Sequence, residues 1–485
     1  MFAAVDLGSN SFRLHIGRHE GDVIRVVKSA RDPIRLAAGL DAQGNLSKAA
    51  IASAITCLAR FREILNAYPI DTVRVVATNT IRIAKNASEL LPAAEAAIGC
   101  PIEVISGEEE GRLIYMGVSN SLAIPGERRL VMDIGGGSTE VILGRGHEII
   151  KVESFGVGTV NHSNTFFPNG KITETGFDAA ILSARSLFED AAPPYQPQHW
   201  RNAYGSSGTM RAISDAISKN GFGDGSITLK SLTTLKQYCL QVGQISQLDL
   251  VGIKPERVAM VVGGLAIVIA LLEEFNITTL HPIEAGLRMG VMWDLYLRST
   301  KRDRREQSVH NVVTMFHVDL SRANRVAEMA RSLYAQLKPA TDTHVRHIYW
   351  SAMMHEVGMV VSHTGYHKHG SYMVENADMA GFTTREQRVM SKLILSQKGN
   401  LKKISDGFAD LDFAKAVLAL RLSVTFMHSR VELDYADFSL KMKNKIELEI
   451  KQDWVKLHPT VAFWLQKEIE FWREVGVEFV VRANL

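Results

Sequence analysis

Apolar residues in the first third of the chain fall into a pattern that occurs twice. A short apolar run after Met1 is followed, past a polar turn, by Phe12, Leu14 and Ile16 at alternate positions; Leu130–Met132 is followed in the same way by Val141 and Leu143. Runs and alternations of this kind predict strands. A third apolar segment follows each pair, Ile24–Val27 and Ile149–Val152, so both blocks predict a β-meander. Sliding the chain against itself by 127 positions (133 minus 6) lays Asp6–Arg18, DLGSNSFRLHIGR, over Asp133–Arg145, DIGGGSTEVILGR. Asp, Gly, Ser and the closing Gly-Arg coincide.

Helical and strand patterns then alternate. Ser47–Tyr68 predicts an amphipathic helix, Thr72–Thr78 a strand, Asn86–Ile98 a helix and Ile102–Ser106 a strand, with another helix opening near Glu108. This alternation predicts α/β domains with partly parallel sheets, two halves facing each other across a cleft. Past a charged hinge at Lys301–Arg305 the periodicity is almost wholly helical, and from about Leu433 strand-like and helical patterns mix. At 485 residues, and with ~150 residues per domain, the expected division is 1–123, 124–299, 300–432 and 433–485.

Composition narrows the class. With 46% hydrophobic and 22% charged residues the chain is globular, and a net charge of +3 is too small to imply nucleic acid. Cys57, Cys100 and Cys239 are odd in number and lack metal or redox spacing, which points to a reducing compartment and inert thiols. Asp6 comes too early for the apolar region of a signal peptide. The longest apolar stretch, Val258–Leu272, carries Gly263 and Gly264 and is shorter than the ~20 residues of a membrane span. A cytoplasmic protein without an integral membrane segment is expected.

The repeated turns carry the chemistry. Gly, Ser, Asn and Thr between two strands present backbone N–H groups and hydroxyls in one concave place, a shape that accepts phosphate oxygens. Gly8, Ser9, Asn10 and Ser11 form one such turn, and Gly135, Gly136, Gly137, Ser138 and Thr139 the other; the three glycines admit an anion without a Cβ in the way. Asp6 and Asp133 open the turns, and an acid beside a phosphate is repulsive unless a hard cation such as Mg²⁺ lies between them. Glu140 is a further metal candidate or a solvated strand residue. Ordinary hairpins whose acids satisfy turn N–H groups are the competing reading.

DLGSNS followed by DIGGGSTE resembles the two phosphate loops of the actin-like, sugar-kinase and heat-shock ATPase superfamily. The finer resemblance is to the exopolyphosphatase and guanosine pentaphosphate phosphohydrolase family, carried also by Arg35–Leu40 (RLAAGL), Val76–Arg82 (VATNTIR), Ile105–Tyr115 (ISGEEEGRLIY) and Gly205–Thr209 (GSSGT). It implies two actin-like, ribonuclease H-like domains with mixed sheets, then an all-helical HD-like domain and a small C-terminal element. It implies Glu110 as the general base for the attacking water, whereas Glu108 and Glu109 are explained by a helix start. Arg82 follows a strand, where a guanidinium grips phosphate oxygens. Ser207, Gly208 and Thr209 offer another hydroxyl-rich turn. The Gly263-Gly264 pair, at the superfamily's adenosine pocket, is expected to be helix-start packing.

Eight of the sixteen histidines fall between His310 and His369. Met354–Gly358 (MHEVG) resembles the core of the HD phosphohydrolase helix with Glu356 in place of the metal-binding Asp, a departure that argues against a metal site there. The loop Ser362–Gly370 gathers His363, His367, Lys368 and His369, donors suited to lining a polyphosphate path. The expected function is an exopolyphosphatase that uses Mg²⁺, with K⁺ as a candidate activator, and releases orthophosphate processively from inorganic polyphosphate. A guanosine pentaphosphate (pppGpp) 5′-phosphohydrolase is the alternative, with guanosine alarmones as ligands. A small-molecule kinase and a non-catalytic polyphosphate or alarmone sensor are the remaining rivals. The resemblance also implies a homodimer.

Overall fold

The computed structural model describes residues 1–122, 124–299, 305–428 and 438–484. The chain divides into two units, Met1–Asp303 and Arg304–Leu485. In the first, β1 (Phe2–Leu7), β2 (Phe12–Glu20) and β3 (Val23–Asp32) form an antiparallel meander. α1 (Lys48–Asn66) leads to β4 (Thr72–Ala77), parallel to β1; α2 (Asn79–Ile83) and α3 (Ala87–Ile98) lead to β5 (Ile102–Val104). The helix α4 (Gly107–Ser121) then passes to a second meander, β6 (Arg128–Ile134), β7 (Thr139–Arg145) and β8 (Glu148–Phe155). α5 (Thr159–Phe166) and α6 (Glu174–Phe188) precede β9 (Asn202–Ser206), and α7 (Ser207–Lys219), α8 (Leu229–Val242) and α9 (Pro255–Glu274) precede β10 (Leu280–Pro282) and α10 (Leu287–Ser299).

The sheet orders, β3-β2-β1-β4-β5 and β8-β7-β6-β9-β10, are the same arrangement built twice. Duplication extends to irregularities: the register shifts at Ile16/Gly17 in one sheet and Leu143/Gly144 in the other, the same repeat position (144 minus 17 is again 127). Gly17 and Gly144 admit no larger residue, because a Cβ would lie 2.9 Å from the Arg25 carbonyl oxygen and 2.3 Å from the Tyr115 ring. The Gly-Arg pair that closes both repeats therefore marks a bulge that bends the strand.

Central strands β1 and β6 are covered on both faces, which is why Ala3–Val5 and Leu130–Met132 are continuous apolar runs, all fully buried. β3 runs on to Asp32, past the predicted Val27, because an exposed edge strand needs few apolar residues. Ser47 caps α1 by accepting from the Ala50 amide at 3.2 Å, and Ser106 caps α4 by accepting from the Glu109 amide at 3.1 Å. α4 lies between the halves: Leu113 and Met116 join Ala4, Val76, Val291 and Met292, while Ile114, Tyr115 and Val118 join Val131 and Ile142. α10, at the end of the 124–299 span, packs on β1 of the first sheet.

Gly263 and Gly264 lie in the middle of α9, not at a helix start. A Cβ on Gly263 would meet the Ser163 hydroxyl at 2.2 Å and one on Gly264 the Thr209 methyl at 2.5 Å, so the pair serves close helix crossings. α9 is buried nearly all round, which accounts for its unbroken apolar sequence. Among the described residues no helix is long and apolar enough to cross a membrane.

The second unit packs α11 (Arg305–Met315), α12 (Leu320–Gln336), α13 (Val345–Met353), α14 (Tyr366–Asn376), α15 (Thr384–Ser396) and α16 (Leu411–His428) around Leu333, Ile348, Leu393 and Leu418. β11 (Phe438–Met442), β12 (Ile446–Lys451), α17 (Gln452–Leu457), α18 (Pro459–Arg473) and β13 (Phe479–Asn484) follow, with the three strands in one sheet. The buried Arg421 on α16 pairs with Glu468 on α18 at 2.7 Å and ties the strands' helix to the bundle. Two expectations change here. The His-rich segment is a loop only up to Gly365, whose positive φ of 74° starts α14, so His367, Lys368 and His369 are helical. The MHEVG segment lies beyond the end of α13, pressed against the start of α14 so closely that a Cβ on Gly358 would sit 2.0 Å from the Tyr366 carbonyl oxygen.

Candidate active site

The β1–β2 and β6–β7 turns face each other across a cleft in the first unit. A Cβ on Gly136 would lie 3.0 Å from the Ser9 Cβ, and one on Gly137 2.4 Å from Asn79 Oδ1. Each turn is braced from behind. The Arg35 and Ala37 amides donate to the Asn10 and Ser9 carbonyls at 2.9 Å, which gives the RLAAG segment its structural work. The Thr159 and Val160 amides at the start of α5 donate to the Gly135 and Gly136 carbonyls at 3.0 Å. Gly158 permits that approach, since a Cβ there would be 2.4 Å from the Gly137 nitrogen.

Gly8 to Ser11, Gly135 to Ser138, Asp6, Asp133, Glu110, Ser207, Gly208 and Thr209 all line this cleft. Ser207 to Thr209 form the first turn of α7, the positive end of a helix dipole, which favours an anion. Ser207 has φ of 85°, a conformation strained for a residue with a Cβ, and its hydroxyl accepts from the Thr209 amide at 3.1 Å. Gly137→Ala is expected to raise KM for the phosphate substrate at least tenfold with the fold retained, since the added methyl displaces Asn79 and narrows the turn; steady-state kinetics and circular dichroism check both parts.

Three of the residues read from the sequence stand elsewhere. Thr139 is fully buried and its hydroxyl donates to the Val157 carbonyl at 2.7 Å, so it holds the turn from behind. Arg82 donates to the Ile105 carbonyl at 2.7 Å and lies 3.6 Å from Glu110 Oε2, which orients the acid rather than facing the cleft. Glu140 is 1% exposed, behind Asp133, and accepts from the Ser154 hydroxyl at 2.9 Å. In the second unit His363 and Lys368 are exposed, but His367 is buried. Burial and then Lys403, Lys368, Lys398 and Arg421 hold its pKa down to about 4, so that imidazole is neutral.

Four acids share one buried neighbourhood. Burial, then Glu140, pushes the Glu110 pKa well up, with Asp6 and Asp133 adding to the effect and Arg82 opposing it. Burial raises Asp133 to about 6 and raises Asp6 and Glu140 as well. Glu110 Oε2 is buried without a hydrogen-bond partner. Acids this costly to ionise together, with Arg82 3.6 Å from that oxygen and beyond hydrogen-bond reach, fit a hard cation. Among the described residues no three His, Cys, Asp or Glu side chains already stand as a metal cage, as suits an ion such as Mg²⁺ that takes one or two carboxylates and completes its shell with water and phosphate oxygens.

Linkage gives the pH consequence. These folded pKa values lie above the unfolded ones, so the folded state binds more protons, and the stability they contribute is present below about pH 4 and lost as pH rises through about 6 for Asp133 and about 7 for Glu140. Calorimetry in chelator should show Glu140→Gln raising Tm at pH 8 by several degrees and hardly changing it at pH 4.5.

The sequence reading missed the cationic wall. Arg13, Arg257 and Arg288 line the cleft. Arg288 Nη1 donates to Asp6 Oδ2 at 3.2 Å, and its Nε donates to His15 Nε2 at 3.1 Å. Burial, Arg288 and Arg13 hold His15 down to about 3, so it is a neutral acceptor, and burial with the neighbouring cations lowers Arg13 to about 10. Arginines that repel one another so closely favour a multiply charged anion. Arg13 had a sequence signal, since it is the first residue on the polar face of β2 after DLGSNS. Arg257 and Arg288 had none, because only the fold brings α9 and α10 to the turns.

Duplicated sheets, two facing turns rich in glycine and serine and a buried acid lining the same cleft define an actin-like fold. The chain belongs to the Ppx/GppA phosphatase family: the family's model matches residues 15–299 and the model of its domain III matches residues 304–469. A protein of Pseudoalteromonas translucida named guanosine-5′-triphosphate,3′-diphosphate pyrophosphatase is 32% identical over 99% of this chain and 98% of its own. One of the same name from Aeromonas salmonicida is 32% identical over 98% of this chain and 97% of its own. The crystal structure of the Aquifex aeolicus Ppx/GppA family member is 25% identical with a TM-score of 0.53 and covers 61% of this chain and 98% of that one. An exopolyphosphatase from Cytophaga hutchinsonii, 23% identical with a TM-score of 0.54 over 61% of this chain and 97% of its own, shares the fold.

Proposed function

We propose that the protein hydrolyses the terminal 5′ phosphoanhydride of pppGpp, yielding ppGpp and orthophosphate. The observation that carries this reading is the end-to-end similarity to proteins named for that reaction. It displaces inorganic polyphosphate as the first choice, and the burial and neutrality of His367 also weaken the polyphosphate path expected in the second unit.

The terminal phosphate lies between Ser9–Ser11 and Gly135–Ser138, with its oxygens on turn amides, hydroxyls and the first turn of α7. Glu110, oriented by Arg82 3.6 Å from its Oε2, aligns a water with its carboxylate and takes the proton as the water oxygen bonds to phosphorus. The bond to the bridging oxygen breaks, and Arg13, Arg257 and Arg288 stabilise the negative charge that stays on the ppGpp leaving group. Mg²⁺ held by Asp6 and Asp133, with Glu140 behind them, would neutralise the transferring phosphoryl group; K⁺ as an activator belongs to the same proposal.

The polyphosphate reading retains one supporting feature: Lys403 has its pKa lowered to about 8, first by burial and then by Arg421 and Lys368, a cluster of like charges suited to a polyanion. Product analysis tests the main reading. Purified protein with pppGpp should give ppGpp and orthophosphate in equal amounts without a phosphoryl acceptor; no turnover would favour a sensor, and transfer to an acceptor a kinase.

A further inference from the structure

Beneath the cleft runs a chain of buried charges that the hydrolytic steps do not use. Glu109, next to Glu110 on α4, is only 2% exposed, although a helix-start acid needs no such burial. Arg112 grips it through Nε at 2.6 Å and Nη2 at 2.8 Å, and the same Nη2 reaches Asp294 on α10 at 2.8 Å. Arg74 on β4 reaches Asp294 through Nη1 at 2.8 Å, Glu103 on β5 through Nε at 2.8 Å, and Glu109 through Nη2 at 3.4 Å. Arg298 closes the other side of Asp294 at 2.7 Å. The three cations balance the three anions.

These side chains join elements of different origin. α4 packs on β7 and β8 of the second sheet, whereas α10 packs on β1 of the first. α4 carries Glu110, and the second residue of α10 is Arg288, which holds Asp6. At the crossing the backbones touch: a Cβ on Gly290 would lie 1.7 Å from the Leu113 carbonyl oxygen, and one on Gly117 2.4 Å from that of Gly286. Glycines set how closely the helices approach, and directional, fork-shaped guanidinium bonds set their register. A hydrophobic contact of the same volume would hold the helices together without fixing that register.

We propose that Glu109, Arg112 and Asp294 are positioning residues that fix α4 against α10 and thereby set where Glu110 stands relative to the phosphate turns. This rests on Glu110 being the base. It separates two properties that a merely structural role would couple. The turns that hold the transferring phosphate sit on other elements, so its ground-state binding is spared when the register loosens, whereas the alignment of the water by Glu110 and of Arg288 with the leaving group is not.

Glu109→Gln is expected to lower kcat with pppGpp more than tenfold while KM stays within threefold. Glu109→Gln/Arg112→Met removes one buried charge of each sign and keeps the balance, so it is the variant to read if the single one fails to fold. Assayed well below its Tm, the double variant should remain more than tenfold down in kcat. A kcat within tenfold of wild type in the double variant, or a loss carried by KM, overturns the proposal. Glu110→Gln assayed in parallel tells the two claims apart: if it stays active the assignment of the base fails, and if it is inactive while the double variant is active only the positioning role fails.

Discussion

Glu110→Gln is expected to lower kcat for pppGpp by roughly a thousandfold, within the range of about 10²–10⁴ for a positioned general base, with substrate affinity retained. Glutamine keeps the shape of the side chain but cannot take the proton, and the groups proposed to hold phosphate lie on β1–β2, β6–β7 and α7. The same substitution removes a buried acid whose pKa is pushed up by burial and Glu140, so it should not destabilise the fold. Rapid-quench turnover with equilibrium binding of pppGpp checks both halves; activity within tenfold of wild type would remove Glu110 from the mechanism.

The second large effect is on the framework. Gly290→Ala places a methyl 1.7 Å from the Leu113 carbonyl oxygen and 2.5 Å from its carbon, and these are backbone atoms that cannot rotate away. α4 and α10 must part, at a cost of about 3 kcal/mol or more, and Tm should fall by on the order of 5–10 °C. Turnover should fall with it, since one helix carries Glu110 and the other Arg288. Gly156→Ala is the control, because nothing lies within 4 Å of a Cβ there. Scanning calorimetry on the two variants separates a crowded crossing from general intolerance of substitution.

What could be read from the sequence was what the chain states locally. The two turns announced themselves because the repeat preserves Asp, Gly, Ser and even the bulged Gly-Arg, and identical local sequence builds identical local structure. Buried strands and capped helices were legible from runs, alternation and a serine at the right place. The orientation of a side chain was not. Thr139 reads as a phosphate hydroxyl like Ser138, yet the period-two alternation of β7 turns it into the core. Arg82 reads as a phosphate grip, yet the Ile105 carbonyl and Glu110 claim it. Glu109 reads as a helix-start acid and is instead locked in a buried ion network, because its partner Arg74 and the Asp294 that shares Arg74 and Arg112 with it lie far apart in the sequence. His367 reads as a charged loop residue, and burial on α14 leaves it neutral.

Substrate choice is the point on which the account stands most directly. The measurement is kcat/KM for orthophosphate release from pppGpp and from long-chain inorganic polyphosphate, in the same buffer with Mg²⁺ and the same preparation of the protein. A value at least tenfold higher for pppGpp, with ppGpp as the co-product, is the predicted result. A preference of tenfold or more for polyphosphate would contradict it and return the protein to the exopolyphosphatase branch.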